Sequence, residues 1–92
     1  MIIRPVWKSE IPDLFALICA KAEFDGNAAS LLVTVDSLHE ALFAERPLAN
    51  ALVAEVGGKL IGMVTYYAIF SSFIARPGLW MDDLFVYVSG PG

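Results

Sequence analysis

The sequence predicts an α+β domain in the order β-α-α-β-β-β, with a mostly antiparallel sheet and two helices. Three observations predict it. Apolar residues recur at helical spacing across residues 11–22 and again at Leu38 and Leu42. After residue 50 the chain turns into runs of apolar, β-branched and aromatic residues, the composition of strands. Between two of those runs sits Gly57-Gly58, a pair suited to a hairpin turn that needs positive φ.

The elements follow in order. Ile2, Ile3 and Val6 suggest a short first strand, stopped by Pro5 or soon after it. Ser9 is placed to cap a helix, and Pro12 falls in its first turn, where a missing N–H costs little. Ile11, Leu14, Phe15, Ile18 and Ala22 form one stripe, which Asp25-Gly26-Asn27 closes, Gly26 being suited to a left-handed cap. The loop 28–33 is apolar enough to pack partly inward. Thr34 caps the second helix, Asp36 lies at the favourable end of its dipole, and Pro47 bounds it. His39 is expected on the solvent side, with no nucleophile or metal-ligand partner at a useful spacing. The strands are then 51–56, 59–70 and 79–88, with 71–78 as a connection. Strand 59–70 is so uniformly apolar that both its faces should be covered. No repeat or linker divides the chain, so residues 1–92 form one domain.

Composition narrows the function classes. The apolar fraction is 58%, high for a soluble domain. Its longest charge-free stretch, 60–75, nevertheless falls short of the about 20 residues a membrane helix needs, and Thr65, Ser71 and Ser72 interrupt it. Arg4 and Pro5 break the apolar start, which therefore does not read as a signal peptide. A net charge of −4 without a Lys/Arg cluster argues against nucleic acid. Cys19 stands alone, so no disulfide forms within the chain; a reducing cytoplasm is the expected compartment, and a buried thiol its expected state. No metal-ligand cluster is present, and Trp7 and Trp80 read as core or interface aromatics.

One pair carries chemistry. Asp82-Asp83 interrupts an apolar strand, where a carboxylate is costly unless exposed, hydrogen-bonded or functional. Strict alternation puts Asp83 with Met81 and Phe85, and Asp82 with Trp80 and Leu84. Either one carboxylate faces solvent while the other caps a loop, or the pair binds or deprotonates a cationic amine. Gly57-Gly58 is no phosphate loop, because a strand rather than a helix follows it.

The run Ile2-Ile3-Arg4-Pro5, the two helices, Leu52-Val53-Ala54-Glu55, Ile61-Gly62 and Met81-Asp82-Asp83-Leu84-Phe85-Val86 together resemble the N-terminal half of GNAT-family N-acetyltransferases. Within that family they are most similar to the diamine (spermidine/spermine) branch, whose fourth strand carries an acid-Asp-Phe-Phe-Val motif. The resemblance implies a three-layer-type half-fold that ends after strand four. It also implies acetyl-CoA as acyl donor, aligned by the backbones of Leu84, Phe85 and Val86. Asp82 and Asp83 would hold or deprotonate a polyamine- or lysine-like amine, with Asp82 shorter than the glutamate often found there.

In the family a basic glycine-rich loop and a pyrophosphate-binding helix come next, then a fifth strand and a general-acid tyrosine. Gly90-Pro91-Gly92 stands where that loop would begin. The expectation is therefore a single chain without turnover, pairing as a homodimer or larger assembly through strand 79–88. A second chain that completes the enzyme, a non-catalytic interaction module, and the product of an interrupted gene are the competing readings.

Overall fold

A computed structural model describes residues 1–73 and 75–87. Strand β1 (Ile2–Pro5) leads through a short 3-10 turn (Lys8–Glu10) into helix α1 (Ile11–Phe24); a second 3-10 turn (Ala28–Ser30) precedes helix α2 (Val35–Phe43). Strands β2 (Asn50–Val56), β3 (Lys59–Ser71) and β4 (Arg76–Val86) complete a four-stranded sheet in the order β1-β2-β3-β4, antiparallel throughout. Val88 and Gly90-Pro91-Gly92 lie outside the described residues.

Local chemistry explains the boundaries. The Thr34 hydroxyl accepts from the Ser37 amide at 3.0 Å while the Ser37 hydroxyl accepts from the Thr34 amide at 2.8 Å, a reciprocal cap for α2. At the end of α1, Gly26 takes φ +75°, its amide donates to Glu23, and Asn27 donates to Ala22. That pattern satisfies the last carbonyls of the helix. Gly57 and Gly58, at φ +56° and +81°, make the β2–β3 turn.

The start of α1 differs from expectation. Ser9 lies inside the 3-10 turn and caps nothing; instead the Glu10 carboxylate accepts from the Trp7 amide at 2.9 Å. Glu10 is held there by Arg4, whose guanidinium donates to both its oxygens at 2.8 and 2.7 Å, reaches Glu55 at 2.6 Å, and lies 3.6 Å from the Trp7 ring centre. One arginine thus ties β1, β2 and the entry to α1 together, and an acid that serves this fork outcompetes a serine hydroxyl.

The core lies on one face of the sheet. Ile11, Leu14 and Leu17 of α1 and Leu38 and Leu42 of α2 pack with Val6, Ala51, Val53 and Met63. Leu31 and Val33 of the apolar loop are half-buried, and Val33 packs against this cluster, whereas Leu32 is exposed. The expected two-sided cover of β3 is not found. Gly62, Met63 and Thr65 are buried, but residues 67–70 are exposed, because α1 and α2 cover only one face and only one end of the strand. Strand β4 also begins earlier than the apolar run indicated, since backbone pairing carries the ladder on through Gly78, Pro77 and Arg76 to Ser71.

Candidate functional site

The β3–β4 ladder holds the feature that organises the site. Phe85 pairs with Met63, Leu84 with Val64 and Asp83 with Thr65, but Tyr66 pairs with Met81, so Asp82 is an extra residue without a partner. It forms a β-bulge, and a bulge re-aims the side chains around it. The strict alternation expected for the acidic pair therefore fails. Trp80, not Met81, shares a face with Asp83 and Phe85, and Met81 falls on the face of Tyr66 and Leu84.

The two carboxylates consequently have different surroundings. Asp83 is half-buried and faces α1, with its Oδ1 3.5 Å from the Lys21 Nζ, and Lys21 is also bonded to Asp25. The Lys21 ammonium is held above the usual lysine range, first by its hydrogen bond to Asp25 and further by the charges of Asp25 and Asp83. Asp82 is exposed and makes no ion pair among the described residues. Beside Asp83 a small cavity of about 110 Å³ opens between Lys21, Asp25, Asn27 and Leu31. Across the ladder, the Thr65 hydroxyl is buried without a protein hydrogen-bond partner among the described residues.

Past the bulge, β4 is the outer strand of the sheet. The Tyr87 amide donates to the Ile61 carbonyl at 2.6 Å. Antiparallel alternation then gives the N–H and C=O of Phe85 to β3 and turns those of Leu84 and Val86 to the free edge. That edge borders a groove of about 570 Å³ between β4 and the last turns of α1, lined by Ala20, Glu23, Phe24 and residues 84–87. The Phe85 ring stands edge-on to Phe24 at 6.3 Å and to Tyr87 at 5.3 Å, forming the apolar wall. Among the described residues no Lys or Arg lines the groove; Glu23 does.

Sequence reasoning placed Asp82, Asp83, Leu84, Phe85 and Val86 on one strand, and the structure brings residues 83–86 to the last turns of α1 while Asp82 stays exposed in the bulge. It missed Lys21 and Thr65. The Lys21–Asp25 spacing of four is visible on a helix, but contact with Asp83 depends on the register of β4 against the core. His39 is half-buried, its ring tilted against Phe43 at 5.8 Å, and it lies on α2, away from this site. Among the described residues no group of three metal-ligating side chains occurs, and no helix is long and apolar enough to cross a membrane.

This antiparallel four-stranded sheet, with two helices on one face and a bulged fourth strand, has the fold of part of the acetyltransferase structures of GNAT type. Solved structures share it. A ribosomal-protein-alanine N-acetyltransferase from Brucella melitensis biovar Abortus 2308 superposes with a TM-score of 0.72 at 22% identity, over 100% of this chain and 61% of that one. An aminoglycoside acetyltransferase from an uncultured soil metagenomic sample, in complex with sisomicin, gives 0.71 at 19% identity, over 92% of this chain and 55% of that one. In sequence the chain resembles a mouse acetyltransferase. It is 27% identical to a thialysine N-epsilon-acetyltransferase of Mus musculus, over 91% of this chain and 54% of that protein. It thus spans about half the length of the curated relative it matches. No protein-family profile matches it.

Proposed function

We propose that the chain is the amine- and thioester-facing part of an acetyl-CoA-dependent N-acetyltransferase acting on a polyamine- or lysine-like primary amine. The observation that carries this reading is the pair of edge backbones at Leu84 and Val86, without a strand partner among the described residues and bordering an apolar groove on an acetyltransferase half-fold. Alternate outward amides on a strand edge suit an extended chain of amide groups such as pantetheine. A fixed N–H at the same edge stabilises the oxyanion that forms when an amine attacks a thioester carbonyl. The C–N bond forms as the C–S bond breaks, coenzyme A leaves as the thiol, and the ammonium proton must be removed before attack. Leu84 and Val86 supply the edge contacts and Phe85 the apolar wall. Exposed Asp82 is the carboxylate free to meet the amine, and Asp83 supplies a second negative charge once Lys21 is displaced.

The phosphate end of the donor is less well served. Among the described residues Glu23 lines the groove and no cation does, so pyrophosphate gains nothing there. In this reading the chain by itself binds acetyl-CoA weakly and does not turn over; the anchoring of the phosphates belongs to parts of the fold outside these residues. Calorimetric titration with acetyl-CoA, together with a thiol-release assay on a diamine, tests it. Weak binding that survives removal of the 3′-phosphate and pyrophosphate, as with acetyl-pantetheine, supports the reading. No heat with either ligand at millimolar concentration would refute it. A second reading, a non-catalytic interaction module, is favoured by the ion pair that already engages Asp83.

A further inference from the structure

Beyond any acyl transfer, the outer half of β4 has the properties of a self-pairing edge. Before the bulge, ladder alternation gives the backbones of Arg76, Gly78 and Trp80 to β3 and turns those of Pro77, Leu79 and Met81 outward. Pro77 agrees with this, since its missing N–H then falls on the free side and no ladder bond is lost. On the face away from the helices Leu79 is 71% and Met81 59% exposed, a costly display for a strand with a free edge. Strand β4 also carries one cation, Arg76, and neither Arg76 nor Asp82 forms an ion pair among the described residues.

We propose that two copies of this chain pair antiparallel through β4, with Leu79 on the two-fold axis. In that register Leu79 faces Leu79 of the second copy and Pro77 faces Met81. Arg76 faces Asp82 at both ends, on the helix-side face. The register satisfies three conditions at once. The outward backbones oppose each other, the exposed apolar residues cluster on one face, and the two unpaired charges become cross-strand partners twice over. A register shifted by two residues keeps the backbone parity but separates Arg76 from Asp82. The bulge at Asp82 ends the pairing, so Leu84 and Val86 stay beyond the start of the second copy's strand. The Leu84 and Val86 edge assigned above to the acyl donor therefore remains free, whereas Asp82 is then engaged by Arg76 of the second copy and leaves Asp83 to meet the amine; the dimer stands whether or not that assignment does.

The test uses the 92-residue chain, sedimented from about 1 to 100 μM, and every β4 substitution is on an exposed position. A dimer is expected within that range. Arg76→Glu or Asp82→Lys alone should raise its Kd about tenfold or more, since each places two like-charge pairs across the axis, and the combined variant should restore it. In a Cys19→Ala background, Leu79→Cys should give a disulfide-linked dimer, because facing residues in such a pair lie about 5.5 Å apart at Cα. Trp80→Cys should not, being off the axis and on the other face. A monomer at 100 μM, a dimer indifferent to both charge reversals, or equal linking in the Leu79→Cys and Trp80→Cys variants would each overturn the proposal.

Discussion

Replacing Leu14 and Leu84 separately by alanine asks which face of the sheet holds the core. Leu14 is fully buried, at 0% exposure, whereas Leu84 on the opposite face is 59% exposed. Each substitution deletes the same carbons. At about 0.8 kcal/mol per buried methylene, full burial is worth ~2.4 kcal/mol, and a residual cavity brings Leu14→Ala to about 3 kcal/mol. Alanine is the best helix former, so none of that loss comes from α1 itself. Leu84, about two-fifths buried, should cost roughly 1 kcal/mol by the same scale. In a domain of this size 1 kcal/mol moves the midpoint by about 4–8 °C, giving a fall of roughly 12–24 °C for Leu14→Ala against 4–8 °C for Leu84→Ala. Differential scanning calorimetry at low micromolar protein separates these easily. Equal losses would mean that the Leu84 face is covered in solution, and the assignment of a one-sided core would fail.

Other outcomes follow from the same geometry. Thr65→Val removes a buried hydroxyl without a protein partner while keeping its shape, and should raise the melting midpoint by several degrees, read by calorimetry. The Arg4 hydrogen bonds hold the Glu10 carboxyl below the ordinary glutamate range. Its stabilisation is therefore complete above that range and lost as pH falls through the lowered folded value. Glu10→Gln should melt lower at pH 7 but lose less between about pH 5 and 3 than the unaltered chain does, in a pH series of thermal melts. Lys21→Met frees Asp83 and should increase heat and affinity on titration with a diamine such as spermidine; unchanged binding would take Asp83 out of the amine site. Replacing Gly58, which sits at φ +81°, by alanine should cost about 1 kcal/mol by strain in the β2–β3 turn, measured by urea unfolding.

Much of the fold was legible because its signals are local. The Thr34 cap, the Gly26 stop, the Gly57-Gly58 turn and the Leu38 and Leu42 stripe each depend on a few neighbouring residues, and each lies where its chemistry placed it. The misreadings share a different cause. Ser9 lost the cap because Glu10 is recruited by Arg4, itself held by Glu55 across the sheet, a contact that spacing along the chain does not reveal. The bulge at Asp82 was illegible because residues on both sides of it are apolar: Trp80-Met81 and Leu84-Phe85 offer no alternation for a one-residue slip to disturb. For the same reason apolar content overstated the cover of β3, since an exposed aromatic run and a buried one read alike.

That slip also separates the two uses proposed for β4. Without it, outward backbones would continue in step from Pro77 to Tyr87, and Asp83 would turn away from Lys21 or Trp80 would turn to the other face. With Asp82 inserted, the strand presents Leu79 and Met81 outward before the bulge and Leu84 and Val86 after it, on edges bent relative to one another. A pairing strand laid along the first edge cannot continue along the second. The two proposals, an edge that closes on a second copy and an edge left for a thioester, are therefore compatible on one strand, divided at Asp82. Deleting Asp82, rather than substituting it, is thus the more severe change. It should restore an even ladder that keeps Asp83 opposite Thr65 and beside Lys21, extend any pairing along the whole of β4, and so weaken acetyl-pantetheine binding at the Leu84 and Val86 edge.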